Sequence, residues 1–275
     1  MTIQEALRLG VDAIGRHEAQ LLLSHVTGMS LEKIIFDYYT KPLDEPAKGA
    51  FFAGLERRKT KEPLQYILGK WEFMGLDIIT DTRALIPRPE TEIMVEEALT
   101  LIQELGRPAN VLDVCTGSGC IAVAIAKLSG SNVASVTAVD ISPAALALAA
   151  ENATLHEVNN INLVQSDLFC GLNGQTYDVI ISNPPYIPTA DISSLQPEIS
   201  HEPKLALDGG HDGLDIYRRL IPASVKHIAP TGALFLEIGP RDVETIMYKA
   251  GYGIVRLVKD YSGLDRVLIG RKQEV

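Results

Sequence analysis

Apolar residues recur at helical spacing over the first 69 positions of the chain. Ile3, Leu7 and Val11 follow one another at intervals of four, which is the pattern of one buried helix face. The same spacing returns over residues 19–26, and glycines and prolines interrupt the segment at several points. The pattern predicts a small bundle of four or five short helices over residues 1–69.

A looser alternation of apolar and polar residues follows the helical segment. It runs from Trp71 to Ile78 and ends in Thr80–Thr82, which predicts a β-hairpin linker over residues 70–85. The next stretch, Ile86–Glu92, has the prolines and early acidic residues that are typical of a helix start. Its place just before the next predicted strand would also let it close over a cofactor bound there.

From residue 110 onward, short apolar runs alternate with helical patterns. The predicted strands are Val111–Val114, Val133–Val139, Ile161–Val164, Tyr177–Ile181, Ala233–Ile238, Ile254–Val258 and Val267–Ile269. Two of the later predicted helices are Leu214–Ile228 and Arg241–Ala250. Because strands that alternate with helices form mostly parallel sheets covered on both faces, we predict an α/β domain with a seven-stranded sheet over residues 86–275. Its last two strands fit a mixed edge.

The segment Ser182–Tyr186 follows the fourth predicted strand, at the edge of such a sheet where ligands bind. Pro184 and Pro185 each disfavour helical geometry for the residue before them, and neither has an N–H group to donate. The segment is therefore stiff, extended and rich in acceptors, which include the Asn183 amide oxygen and the Pro184 carbonyl. Such a segment suits a substrate with an –NH2 group, and Tyr186 would help to shape the slot for it.

A glycine-rich turn, Thr116–Gly119, joins the first strand of the α/β domain to its helix. Glycines there let the backbone turn tightly and approach a ligand closely. The turn also fits the G-x-G-x-x-A fingerprint of dinucleotide sites, and Asp140, about 20 residues further on, suits a ribose in either case. The turn alone therefore leaves both a dinucleotide and S-adenosylmethionine open.

Acidic residues at the strand ends favour S-adenosylmethionine. Asp113, inside the first of these strands, would attract the cationic end of that cofactor and repel a pyrophosphate; the alternative is that Asp113 only caps the turn. Asp167 can accept a hydrogen bond from an adenine amine. The predicted cofactor site consists of Asp113, Cys115, Thr116, Gly117, Ser118, Gly119, Asp140, Asp167, Leu168 and Asn183. No metal is expected, because no cysteine pair or histidine cluster has metal-ligand spacing.

The composition restricts the classes of partner and compartment. The chain has 275 residues and a net charge of −10, which disfavours a surface built to bind extended nucleic acid. No apolar run approaches the ~20 residues of a membrane-spanning helix, and the first residues lack the basic and apolar regions of a secretory leader. We expect a cytoplasmic monomer that binds neither nucleic acid nor membrane.

Several stretches together make the chain similar to a known family. The motif Asn183–Tyr186 resembles that of methyltransferases acting on planar amine or amide nitrogens. The stretches that resemble the release-factor glutamine methyltransferase family (HemK/PrmC) are Ile86–Glu92, His201–Pro203, Ala206–Leu214 and Asp260–Val267. The similarity extends over almost the whole chain. One departure is Cys115, which replaces the first glycine of the family's turn, and we expect the turn to shift slightly so that Cys115 avoids a strained φ.

The resemblance implies a Rossmann-like class I methyltransferase domain that uses S-adenosylmethionine. Its implied substrate is the glutamine of the Gly-Gly-Gln motif in class I peptide chain release factors, which the bundle over residues 1–69 would bind. Asn183 and Pro184 would be catalytic, since their oxygens hold the two amide hydrogens, and Pro185 and Tyr186 would complete the substrate site. The alternatives are a glutamine methyltransferase of a ribosomal protein, a DNA adenine methyltransferase, a nicotinamide-dependent oxidoreductase and a non-catalytic cofactor-binding adaptor.

Overall fold

The structure is a computed structural model that describes residues 1–36, 40–239 and 242–272. The chain folds into two compact units. A search of the described residues finds no helix with the length and hydropathy that crossing a bilayer requires.

The first unit, residues 1–70 with 196–201, is a helical bundle. Its helices are α1 (Ile3–Ile14), α2 (Arg16–Thr27), α3 (Leu31–Phe36), α4 (Glu45–Lys59) and α5 (Leu64–Leu68). Thr2 and Glu5 form a capping box at the amino-terminal end of α1. This arrangement satisfies two backbone N–H groups that a helix start leaves unpaired. Phe51 is fully buried in the hydrophobic core of this unit. The prediction of a helical amino-terminal region is confirmed.

The predicted hairpin is present. Its strands are β1 (Lys70–Phe73) and β2 (Leu76–Ile79). Met74 and Gly75 between them have φ values of 52° and 73°, and positive φ at both positions is what a tight two-residue hairpin turn requires. Phe73 and Ile78 are buried in the core of the second unit. The hairpin is therefore part of that core and not only the linker that the sequence predicted.

The second unit is an α/β domain. Its main elements are α6 (Pro89–Glu104), β3 (Ala109–Val114), α7 (Cys120–Leu128), β4 (Val133–Asp140), α8 (Pro143–Leu155), β5 (Ile161–Gln165), β6 (Tyr177–Ser182), α9 (Asp215–Ser224), β7 (Ile228–Glu237), α10 (Glu244–Ala250), β8 (Tyr252–Lys259) and β9 (Asp265–Lys272). Among the described residues, these strands form one seven-stranded sheet in the order β5-β4-β3-β6-β7-β9-β8. Neighbouring strands from β5 to β7 are parallel, whereas β9 is antiparallel to β7 and β8. The mostly parallel α/β sheet is confirmed.

The strand order reverses between β3 and β6, which lie side by side although two other strands separate them in the chain. Their last residues, Val114 and Ser182, are paired, and the Ser182 hydroxyl donates to the Val114 carbonyl at 2.6 Å. All of β6 is buried, as expected for a strand covered on both faces. Ligands of open α/β sheets bind outside such a switch point, so the segments after β3 and β6 are positioned to form a site.

Several predicted boundaries near the carboxyl end were wrong. The helix predicted to reach Ile228 ends at Ser224, because Ile228 already pairs with Tyr177 as the first residue of β7. The two last strands are longer than predicted, since antiparallel pairing continues to Tyr252 and Lys272. The predicted helix start at Arg241 lies outside the described residues, and α10 begins at Glu244.

Candidate active site

The backbone turns sharply after β3. Cys115, Gly117 and Gly119 have φ values of 63°, 55° and 76°, all in the left-handed region. The Thr116 N–H donates to the Val139 carbonyl at 3.0 Å, and the Gly119 N–H donates to the Thr116 carbonyl at 2.9 Å. The first bond ties the turn to the end of the neighbouring strand β4, and the second closes the turn just before α7 begins.

The expectation that Cys115 avoids a strained φ was wrong. Cys115 takes the left-handed conformation itself, because the strand before it and the bonded turn after it hold the backbone in place. For a non-glycine residue this conformation costs about 1–2 kcal/mol. Leu168, just after β5, also has a positive φ, 51°. Strained residues of this kind cluster at functional sites, and both residues line the same cavity.

This cavity lies along the carboxyl ends of the parallel strands and has a volume of about 230 Å³. The predicted site residues that line it are Cys115, Thr116, Gly117, Ser118, Asp140, Asp167, Leu168, Asn183 and Pro185. The predicted closing segment contributes Ile86, Pro87, Arg88 and Thr91. The predicted site residues outside the lining are Asp113, Gly119, Pro184 and Tyr186. The structure thus brings together side chains that follow four different strands of the sheet.

Asp113 is fully buried beneath the turn. Its Oδ2 accepts a hydrogen bond from the Thr116 hydroxyl at 2.5 Å, whereas Oδ1 has no hydrogen-bond partner among the described residues. Burial, reinforced by the charge of Asp140, raises the pKa of Asp113 to about 7, although the Thr116 bond opposes the shift. The bond between Asp113 and the Thr116 hydroxyl therefore holds the turn.

The raised pKa of Asp113 predicts a pH-dependent stability. An unfolded chain releases this proton near pH 3.8, whereas the folded protein retains it until about pH 7. The carboxyl group therefore disfavours folding increasingly as pH rises between these values, by up to about 4 kcal/mol. Without cofactor, Asp113→Asn is expected to raise Tm more at pH 8 than at pH 5. An equal difference between variant and wild type at both values would contradict this prediction.

Asp140 joins the turn to the start of α8. Its Oδ2 accepts from the Gly117 N–H and its Oδ1 from the Ser142 N–H, each at 2.9 Å. Burial raises the pKa of Asp140, and the two backbone bonds oppose that shift. A carboxylate oxygen can accept a second bond, so Asp140 retains acceptor capacity beside the cavity.

Arg219 is a cavity residue that the sequence interpretation missed. It lies on α9, and one guanidinium nitrogen donates to Asp167 Oδ2 at 2.6 Å. Both side chains are exposed by about half, so solvent screens the pair and its contribution to stability is small. The position of Arg219 in an amphipathic helix gave no signal that it would contact a residue 52 positions earlier.

The segment Asn183–Tyr186 lies against the long irregular region that follows it. The Ile187 N–H donates to the Leu207 carbonyl at 2.9 Å, and the Gly209 N–H donates to the Ile187 carbonyl at 2.8 Å. At Gly213, a Cβ atom would lie only 2.4 Å from the Tyr186 carbonyl oxygen. Glycine at this position thus permits the close approach that holds Tyr186 in place.

Glu237, the last residue of β7, connects several of these elements. It is almost fully buried and accepts from the Thr91 hydroxyl at 2.5 Å and from the Tyr186 hydroxyl at 3.4 Å. Burial raises the pKa of Glu237, although the Thr91 bond and the charge of Arg266 oppose the shift. The sequence interpretation missed Glu237. A lone acidic residue at the end of an apolar strand was the available signal.

A second buried glutamate holds the closing segment. Glu202 accepts from the Ile86 N–H at 3.0 Å and forms a short charge-assisted contact with Arg88. Removal of the Arg88 side chain would leave the buried Glu202 charge without its cationic partner, which is strongly destabilising. The segment before α6 is therefore fixed beside the cavity, as its place before β3 predicted.

Comparison with known families agrees with this geometry. The methyltransferase small domain matches residues 93–242, more than half of the chain, and the PrmC N-terminal domain matches residues 5–69. The fold and the site thus define a methyltransferase.

Curated relatives narrow this class. The release factor glutamine methyltransferase of Geobacter sulfurreducens is 44% identical over 261 residues, which are 93% of this chain and 89% of that protein. Its counterpart in Moorella thermoacetica is 37% identical over 286 residues and covers 100% of both chains. The chain belongs to the release factor glutamine methyltransferase family, and the resemblance inferred from its motifs is confirmed.

Solved structures share the fold at lower identity. The 16S rRNA methyltransferase RsmC of T. thermophilus, in complex with AdoMet and guanosine, has a TM-score of 0.55 at 16% identity and covers 74% of this chain and 50% of that chain. The hMettl16 catalytic domain has a TM-score of 0.59 at 14% identity and covers 84% and 83%. These similarities establish the methyltransferase fold and nothing finer.

Proposed function

We propose that this protein transfers a methyl group from S-adenosylmethionine to the side-chain amide nitrogen of the glutamine in the Gly-Gly-Gln motif of class I peptide chain release factors. The observation that carries the proposal is the position of Asn183 at the cavity. Its Nδ2 donates to Thr91 at 3.2 Å, which leaves its oxygen as the group available to an incoming amide. Membership in the glutamine methyltransferase family supports the same substrate.

The residues around the cavity fit S-adenosylmethionine. The Ser118 hydroxyl and Asp113 Oδ1 are buried polar atoms without partners among the described residues, so the turn has unused hydrogen-bonding capacity. A Cβ at Gly117 would fill space beside the turn, where its nearest neighbour among the described residues is Ala84 at 3.7 Å. Asp140 would accept from the ribose and Asp167 from the adenine amine. When bound, the cofactor would supply an electrophilic methyl group on a sulfonium centre, and loss of that methyl group would leave S-adenosylhomocysteine as the product.

The substrate presents a difficult nucleophile, because the lone pair of an amide nitrogen is delocalised into its carbonyl. In our proposal, the Asn183 side-chain oxygen and the Pro184 carbonyl accept the two amide hydrogens. These two bonds would direct the amide nitrogen toward the methyl group to be transferred. As the nitrogen gains positive charge, its hydrogens become better donors, so both bonds strengthen toward the transition state. Tyr186 packs against the flat amide, and the proton leaves to water after transfer.

The helical bundle is proposed to bind the release factor away from the tripeptide. Three residues present few groups for recognition, so selection of one protein requires further contact area. The match of residues 5–69 to the PrmC N-terminal domain supports this division of roles. Recognition by the bundle predicts that an intact release factor is methylated at a lower concentration than a short Gly-Gly-Gln peptide.

Mass spectrometry tests the proposed function. A purified class I release factor, a Gly-Gly-Gln peptide, ribosomal proteins and DNA are each incubated with the protein and S-adenosylmethionine. We expect a single added methyl group on the glutamine of Gly-Gly-Gln. The intact release factor should be methylated at a lower substrate concentration than the peptide requires. Modification of a ribosomal protein or DNA instead would overturn the substrate. Cofactor binding without transfer to any of them would favour the adaptor alternative.

A further inference from the structure

Thr91 links the amide of Asn183 to the buried carboxylate of Glu237. The Thr91 oxygen lies 3.2 Å from Asn183 Nδ2 and 2.5 Å from Glu237 Oε2. Thr91 and Glu237 are each only 2% exposed, so water does not compete for these bonds. The three residues come from α6, β7 and the segment after β6, far apart in the chain.

Counting hydrogens determines which way the Asn183 amide faces. Both Glu237 oxygens accept in this structure, Oε2 from the Thr91 hydroxyl and Oε1 from the Tyr186 hydroxyl, and a threonine hydroxyl has one hydrogen to donate. The Thr91 hydrogen is therefore directed to Glu237, which leaves the Thr91 oxygen able only to accept from Asn183. If the amide turned over, its oxygen would face the Thr91 oxygen with no hydrogen between them, which is unfavourable for buried groups.

We propose that Thr91 and Glu237 are positioning residues that hold the Asn183 amide with its nitrogen inward and its oxygen toward the substrate. This inference rests on the proposed function, because it assigns the Asn183 oxygen to the glutamine amide. In the opposite orientation, Asn183 would present a donor to the –NH2 group of the substrate and could not hold it. Glu237 also accepts from the Tyr186 hydroxyl at 3.4 Å, so the same carboxylate contacts Tyr186 directly and Asn183 through Thr91.

A set of threonine variants tests the proposal kinetically. Thr91→Val keeps the branched shape but removes the hydroxyl, and it is expected to lower kcat by about 10- to 100-fold with little change in the Kd of S-adenosylmethionine. Thr91→Ser restores the hydroxyl and should recover most of the lost rate. Glu237→Met removes the acceptor of the Thr91 hydrogen and provides a second variant, with an expected loss of the same order. Thr100→Val is the matched control, because Thr100 is an exposed residue of α6 whose hydroxyl donates to the Glu96 carbonyl.

A double variant that combines Thr91→Val with Asn183→Ala distinguishes a positioning role of Thr91 from a general disturbance of the structure. If Thr91 acts through Asn183, Thr91→Val should lower kcat little further once the Asn183 amide is absent, so the two effects are not additive. An equal loss in both backgrounds, or a parallel loss of cofactor affinity, would overturn the proposal. Melting temperatures identify any variant that is poorly folded. If Thr91→Val is one of these, the comparison is made between Thr91→Ser and wild type.

A substrate-free measurement distinguishes failure of this inference from failure of the proposed function. In an NMR spectrum of the 15N-labelled protein, the Asn183 side-chain N–H signals should exchange with solvent more slowly in wild type than in Thr91→Val. Wild type that transfers no methyl group to Gly-Gly-Gln, yet shows this protection, would refute the proposed substrate and keep the orientation. Unprotected Asn183 signals in wild type would refute the orientation itself.

Discussion

Asn183→Ala is expected to lower kcat for methylation of the release-factor glutamine by about 100- to 1,000-fold. The substitution removes one of two acceptors proposed to hold the substrate amide, and that bond is strongest when the nitrogen carries positive charge. The Asn183 side chain also lines the cavity, but the turn after β3 and Asp140 remain intact in the variant. The Kd of S-adenosylmethionine should therefore change only a few-fold.

Single-turnover kinetics and calorimetry together check this expectation. The first measures the chemical step at saturating substrate, and the second measures cofactor affinity without substrate. Asn183→Asp is an informative companion, because its carboxylate can still accept from the substrate but cannot donate to Thr91. We expect it to lose activity as well, since the new carboxylate and the Thr91 oxygen would then face each other with no hydrogen between them. Equal losses of rate and cofactor affinity in Asn183→Ala would assign Asn183 to cofactor binding instead.

The location of the site could be predicted from the sequence because it depends on local pattern. Apolar runs identified β3, β4, β5 and β6, and parallel strands place their carboxyl ends at one edge of the sheet. Turn glycines, Asp140 and the Asn183–Tyr186 segment follow these runs directly. Knowledge of the strand ends was therefore enough to bring most of the predicted site residues to the cavity.

The contacts that orient these residues could not be predicted in the same way. Glu237 meets Thr91 across 146 positions, and nothing in the neighbourhood of either residue indicates the other. Such pairs depend on how α6 packs against the sheet, which is a property of the whole domain. The long-range partners of Glu202 and Arg219 escaped prediction for the same reason.

Cys115 shows a different limit of sequence interpretation. Residue preference indicated that cysteine would avoid positive φ, yet the turn imposes that conformation on it. A local preference of about 1–2 kcal/mol is smaller than the combined effect of strand pairing and turn hydrogen bonds. The tertiary structure therefore overrides the preference of the residue at this position.

Gly119→Ala is expected to be among the most destabilising single substitutions at the site. A Cβ at Gly119 would lie 2.8 Å from the Ala149 Cβ and 3.0 Å from its Cα, so α8 must move away from the turn. The residue also has a φ of 76°, which adds the cost of a left-handed alanine. Overpacking of about 1–3 kcal/mol and strain of about 1–2 kcal/mol together predict a lower Tm and weaker cofactor binding.

Gly130→Ala separates the two causes. Gly130 also has a positive φ, 55°, but a Cβ there would meet no atom of the described parts of the chain within 4 Å. This variant should lose only the strain contribution, about 2–8 °C in Tm, whereas Gly119→Ala should lose roughly twice as much. Thermal unfolding with and without S-adenosylmethionine checks both points, because the cofactor should raise the Tm of Gly130→Ala as it does that of wild type. Equal losses in the two variants would mean that α8 yields without cost, and that backbone conformation alone requires glycine at position 119.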